Sequence, residues 1–331
     1  MTHHARLAAL GLKAVALAAL VVAALPSEAA AKKCLFVSSY HRGYAWSDGV
    51  ERGLRDALQG HCDIRQFDMD TKRHKSEEDK RQAALAAKEI IETWQPDVVI
   101  TADDNAAKYL IAPYYKNHEL PFVFCGVNWT ADEYGFPYDN VTGMIEVAPI
   151  MPMLERAREI VPTIRRAFYI GADTLTESKN LARFQEAAQR LGLELAHALE
   201  STTDGWLESY RRAQDYDLLI VGSNAGINDW DPARIRDGIL ESARILSVTN
   251  HEWMMPYTIL GVTKVPEEQG AWAAKAALRI LEGIPPRAIP IVANNQRDIW
   301  INRDILSAAR IELPNGLMRK GKKVAQVAPR N

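Results

Sequence analysis

Asp97-Val98-Val99-Ile100-Thr101 is followed by a helical pattern over 104–115 and then by Pro121-Phe122-Val123-Phe124-Cys125. Two short apolar runs flanking one amphipathic stretch read as a β-α-β unit, because parallel strands need a long crossover to join them. Toward the N-terminus, Leu35-Phe36-Val37 precedes a helical pattern over 46–58. Asp63-Ile64-Arg65-Gln66-Phe67 alternates as a strand, and 76–94 reads as a long helix. Past residue 148 the rhythm restarts. Helices are expected over 149–161, 178–191, 206–213 and 232–243, interleaved with strands at 166–170, 193–199, 217–221 and 245–248. After the apolar run 257–262, a helix over 266–281, a strand at 298–302 and a short helix close the chain. The fold class is therefore α/β, with two doubly wound parallel-sheet lobes that carry helices on both faces.

Composition agrees with two lobes and narrows the partners. The chain has 331 residues, of which the first 31 read as an export signal. Arg6 and Lys13 make a basic start, 14–25 is an unbroken apolar run, and Pro26 to Ala31 ends in small residues. The run is shorter than the roughly 20 residues a membrane span needs, which favours a cleaved signal over a retained anchor. The protein is expected in the periplasm, with cleavage near Ala31. Lys32 and Lys33 before Cys34 fit a lipoprotein signal poorly. The whole-chain charge of −2 becomes −3 once Arg6, Lys13 and Glu28 are removed. Without a basic stripe to neutralise phosphates, nucleic acid is not an expected partner. The basic run at 318–323 reads as part of a solvated, disordered tail over 317–331.

There are three cysteines, Cys34, Cys62 and Cys125. Cys34 and Cys62 each precede a strand, and neighbouring strands bring Cα atoms within disulfide range, so this pair is a candidate bridge in an oxidising compartment. Cys125 is expected to be buried and inert.

Open α/β sheets bind ligands at the C-terminal ends of their strands. In the first half those ends carry Ser39, Tyr40, Asp103, Asp104, Asn128 and Trp129; in the second they carry Asp173, Asn224, Glu252 and Trp253. Tyr44 and Trp46 follow closely on the first strand. These twelve residues are the candidate ligand contacts. The plainer reading of the Ser, Asp and Asn positions is helix capping, and of the aromatic rings, packing between lobes. The functional reading is a cleft walled by rings that stack on a flat or cationic ligand, with Asp103 and Asp104 available to an ammonium group.

Three stretches carry a resemblance to type I periplasmic solute-binding proteins, in the ABC-transporter substrate-binding family that includes tryptophan- and tyrosine-binding members. They are Asn140-Val141-Thr142-Gly143; the segment from Gly261 to Gly283 with Glu268-Gln269-Gly270; and Ile299-Trp300-Ile301-Asn302 running to Ile311-Glu312-Leu313-Pro314. Together with the order of elements they cover nearly all of 33–314. Two departures stand out. Ser39-Tyr40-His41, then Trp46 and Gly49, is similar to a branch found as extracellular sensor domains of membrane kinases and cyclases. The segment 128–137 is aromatic where amino-acid-binding members read Asp-Pro. The resemblance implies lobes of 32–145 plus 260–289 and of 146–259 plus 290–316. It implies three hinge crossovers, near Ile145-Glu146, Thr258-Ile259 and Pro290-Ile291.

The expected function is an extracytoplasmic binding protein that closes over a small organic ligand, amino-acid-like, aromatic or an amine, and delivers it to an ABC permease. A soluble component that reports to a membrane sensor kinase is the alternative. The protein is expected to act as a monomer without a cofactor or metal. No Gly-x-Ser-x-Gly, His-Glu-x-x-His or phosphate loop supports a hydrolase. His118-Glu119 and His251-Glu252 read as isolated pairs, and Asp68 with Asp70 as a solvated turn.

Overall fold

A computed structural model describes residues 31–324. Residues 1–30 of the expected export signal and 325–331 of the tail lie outside them. The first sheet contains β1 (Lys33–Ser38), β2 (Asp63–Asp68), β3 (Val98–Ala102), β4 (Phe122–Asn128), β5 (Val141–Glu146) and the late β11 (Val292–Ala293). Its order is β11-β5-β4-β3-β1-β2, and every pair is parallel. The second sheet contains β6 (Arg166–Ala172), β7 (Glu194–Glu200), β8 (Leu218–Val221), β9 (Leu246–Thr249), β10 (Leu260–Lys264), β12 (Arg297–Ile301) and β13 (Lys322–Lys323). Its order is β13-β12-β10-β9-β8-β6-β7, parallel except where β12 runs against β10. The protein is thus an α/β molecule of two doubly wound sheets.

Burial explains why the central strands are so apolar. β3 is buried along its whole length, because the first sheet is covered on both faces. On one face, helices Glu77–Trp94 and 103–114 pack Ala87, Ile91 and Leu110 against Leu35, Val99 and Phe124. On the other, helices Ala45–Leu58 and Pro266–Leu281 pack Val50, Leu54, Ala273 and Ala277 against Phe36, Ile100 and Val123. These two helices touch closely: a Cβ on Gly270 would lie 1.9 Å from the Val50 carbonyl oxygen. The Cys34 and Cys62 sulfurs are bonded, with Cα atoms 6.0 Å apart, while Cys125 is a buried free thiol.

The chain crosses between sheets after Glu146, after Lys264 and between Ala293 and Arg297. Two boundaries expected from the sequence are corrected. Residues 260–264 form β10 at the heart of the second sheet, so the second crossover follows Lys264 and not Thr258-Ile259. Val292–Ala293 pairs with β5 in the first sheet, so the third lies beyond Pro290-Ile291. The tail is corrected too: Asn315–Lys320 is helical and Lys322–Lys323 extends the second sheet beside β12. Its lysines are not simply solvated, since Lys322 pairs with Asp298. Among the described residues no helix is long and apolar enough to cross a membrane.

Candidate functional site

The site grows out of the end of β3. Asp103 follows Ala102 with a left-handed backbone (φ 67°), a conformation in which Asp is one of the few tolerated side chains. It opens a helix that passes through a π-turn at Ala107–Ile111. Its carboxyl is almost wholly buried, exposing 2%. Room for it comes from a bulge in β4: Gly126 has φ 71°, and a Cβ there would sit 2.9 Å from Asp103 Oδ1. The bulge is held by Gly126 N–H, which donates to Gln269 Oε1 at 2.9 Å from the late helix. One Asp103 oxygen, Oδ1, accepts the Trp46 indole N–H at 3.0 Å, while Oδ2 is buried without a partner. Burial and then the neighbouring Asp104 push the carboxyl up to about 7, against the lowering effects of the Trp46 bond, Lys72 and Lys264.

Around this carboxyl lies a cleft of about 630 Å³ between the lobes. The first lobe contributes Tyr40, Tyr44, Trp46, Lys72, Asp103 and Asn128; the second contributes Asn250, His251, Glu252, Trp253, Lys264 and Trp300. Lys72 stands over both Tyr40 and Tyr44, with its ammonium 4.2 and 4.5 Å from the ring centroids. Burial lowers its pKa, and burial likewise raises both tyrosines. Lys264, the last residue of β10, bonds to Glu146, the last residue of β5, and lies 4.9 Å from the Trp46 centroid. Burial brings Lys264 down to about 8, with Asp103 acting the other way. On the opposite wall, Asn250 Oδ1 and His251 Nε2 are buried and unpartnered. Burial alone holds His251 down to about 4, so the imidazole is neutral. Its ring lies 4.4 Å from that of Trp253, which is 55% exposed.

Seven of the twelve sequence candidates line this cleft: Tyr40, Tyr44, Trp46, Asp103, Asn128, Glu252 and Trp253. The other five are placed elsewhere. Ser39 is buried, donating to Ala102 O at 2.5 Å and accepting Ala106 N–H at 2.9 Å, so it ties β1 to the helix that starts at Asp103. Asp104 spends its carboxylate on Asn128 and on the Tyr134 hydroxyl. Trp129 packs against the second lobe's core, with the Arg183 guanidinium 4.0 Å over its ring. Asp173 is exposed and Asn224 sits in the loop after β8, both away from the cleft lining. The second lobe meets the cleft mainly with the segments after β9 and at the end of β10, joined by Trp300 of β12 and by Thr176 beyond β6, while the loop after β8 does not line it.

Sequence reasoning did not single out Lys72, Glu146, Asn250, Lys264 or Trp300. Lys72 lay in a charged run, and Lys264 followed an apolar run whose lobe was misassigned. Asn250 directly precedes His251, which the sequence offered as an isolated pair with Glu252. Among the described residues no group of three His, Cys, Asp or Glu could hold a metal ion. Cys125 is buried, and burial raises its thiol pKa well above normal.

No family model matches the chain, and no curated protein matches it. Its likeness lies in solved structures. The ligand-free, open structure of a substrate binding protein with adhesive properties from Clostridium difficile aligns with a TM-score of 0.71 at 15% identity, covering 88% of this chain and 99% of that one. The ABC domain from Streptococcus pneumonia in complex with L-Trp aligns at 0.59 and 16%, over the same shares of the two chains. A LacI family transcriptional regulator from Bifidobacterium animalis subsp. lactis aligns at 0.53 and 13%, covering 81% and 95%. At these identities the likeness is one of fold, and a fold hosts several functions. The chain has the two-lobed α/β fold of type I periplasmic binding proteins.

Proposed function

We propose that the protein is an extracytoplasmic solute-binding protein whose lobes close over a small organic ligand and present it to an ABC permease. The observation that carries this reading is the cleft itself. Aromatic rings from both lobes face it, and buried polar atoms on both walls (Asp103 Oδ2, Asn250 Oδ1, His251 Nε2) have no partner among the described residues. Buried polar groups are ordinarily hydrogen-bonded, and a ligand between the lobes would complete them. The three crossovers provide hinges for closure. Two solved structures of the same fold, an ABC domain in complex with L-Trp and a solute binding protein of an ABC transporter in complex with 3,4-dihydroxy benzoic acid, support a small ligand.

The test is thermal melting against a metabolite panel. A ligand at a hundred times its Kd adds about 2.7 kcal/mol to stability. The expected result is a raised midpoint with at least one compound, lost in Trp46→Ala; a panel without any shift, or an unchanged shift in the variant, overturns the reading.

A second reading places the same module beside a membrane sensor kinase. It is favoured by the Ser39-Tyr40-His41 and Trp46 stretch, whose Tyr40 and Trp46 line the cleft. Capture of a kinase ectodomain, and not of a permease, by the ligand-loaded protein would select it.

A further inference from the structure

We propose that the ligand of the interlobe cleft is a carboxylate-free organic monocation, an amine or amidine on an aromatic body, whose cationic group is received by Asp103 Oδ2. The inference rests on the solute-binding reading above and specifies what that site takes.

Charge is the first argument. The charged residues lining the cleft are Asp103, Glu146 and Glu252 against Lys72 and Lys264. Lys264 is paired with Glu146. Among the described residues Lys72 makes no ion pair, and it rests over two tyrosine faces. The lining therefore carries one more carboxylate than ammonium, and a single positive charge balances it. A zwitterion would leave the imbalance and an anion would double it. No arginine lines the cleft, although its planar fork is the side chain best suited to holding a carboxylate.

Hydrogen-bonding capacity is the second. Asp103 Oδ2 is buried, has no partner and, when ionised, only accepts. Across the cleft, Asn250 Oδ1 is another unpartnered acceptor, and the neutral imidazole of His251 has an unpartnered nitrogen. An isolated carboxylate in such a place is costly unless a cation joins it. An ammonium or amidinium brings several donors and the missing charge together.

The rings supply the third. Three of them already hold cations: Tyr40 and Tyr44 under Lys72, and Trp46 under Lys264 at 4.9 Å. Trp253 keeps its indole more than half exposed at the same cleft. Such faces stack on an aromatic body and attract positive charge in one arrangement.

The experiment compares tryptamine, phenethylamine and benzamidine with L-tryptophan and indole-3-acetate on the full-length mature protein, by titration calorimetry and thermal melting at pH 8. At least one amine or amidine is expected to bind ten-fold or more tightly than L-tryptophan, with no shift from indole-3-acetate. Asp103→Asn, which keeps an acceptor for Trp46 and suits a left-handed backbone, should lose ten-fold or more of that affinity. Equal or tighter binding of L-tryptophan or indole-3-acetate overturns the proposal, as does full amine affinity in Asp103→Asn. The comparison on the unmutated protein stands even if the variant fails to fold. Failure of all three cations overturns this assignment, whereas the solute-binding reading falls only if the wider metabolite panel also gives no shift.

Discussion

At the residue scale, Asp103 and His251 titrate against each other. Asp103 is held up to about 7 from an ordinary 3.8, so the folded protein retains its proton where the unfolded chain has lost it. Stability from this residue is fully present below pH 4 and is lost as pH rises toward 7. At about 1.4 kcal/mol per unit the loss is on the order of 4 kcal/mol. The groups acting on its carboxyl are Asp104 beside it on the same helix and, from neighbouring elements, Lys72, Lys264 and the Trp46 N–H. His251 has the opposite sign. Held down to about 4 from 6.5, it contributes stability that is present above pH 6.5 and lost as pH falls toward 4. Between pH 4 and 6.5 the two slopes oppose each other. Asp103→Asn should therefore leave a protein whose unliganded melting midpoint rises across that window and exceeds the wild type at pH 8. Melting curves from pH 4 to 8 check this, and parallel curves for variant and wild type would refute it.

At the scale of elements, the seam between helices Ala45–Leu58 and Pro266–Leu281 holds the late helix in the first lobe. Gly53 faces the Glu267 carbonyl oxygen, which a Cβ would approach to 2.1 Å, and Gly270 faces Val50 in the same way. The obstructing atoms are backbone, so the helices must separate to admit a methyl group. Gly270→Ala is expected to cost about 1–3 kcal/mol through overpacking, read as a lowered midpoint in urea with an unchanged slope. The same separation would disturb Gln269, which holds the β4 bulge beside Asp103. The Cys34–Cys62 bridge braces the far end of the first sheet. Closing a loop with a sequence separation of 28 residues contributes roughly 3.5 kcal/mol in the chain-entropy account. The strands and helices were readable in the sequence because apolar runs of five residues and 3.6-residue periodicities are local signals. The helix starting at Ser76 was read at its cap, whereas Thr174 and Thr202 cap helices that begin three residues before the expected starts at 178 and 206, because a cap bonds a backbone N–H that apolar periodicity does not mark.

At the scale of the whole molecule, the two lobes are joined by neighbouring crossovers and by a charge pair at their root. Glu146 ends β5 in the first sheet and Lys264 ends β10 in the second, and their side chains bond. Glu146 exposes only 7% of its side chain, so losing its partner strands a buried charge. Lys264→Met should destabilise the protein by about 3–5 kcal/mol. Replacing both residues, Glu146→Gln with Lys264→Met, should recover much of that loss, because no charge is then left unpaired. A denaturation cycle over the two singles and the double measures the coupling; additive losses would show that the pair does not join the lobes energetically.

The chain's own order of residues determined that it would fold as two α/β halves with polar strand ends, because periodicity and turn chemistry are written over a few neighbouring positions. It also placed Tyr40, Trp46 and Asp103 at those ends. Tertiary structure alone decided which ends meet. Sheet order brings the loops after β9 and β10 to the cleft and leaves Asp173 and Asn224 outside it. It sets Asp104 to bonding Asn128 and Tyr134, turns Trp129 against the second lobe, and pairs Glu146 with Lys264 across 118 positions. Such contacts depend on how two separately folded sheets are set against each other, and no local pattern in the chain encodes that distance.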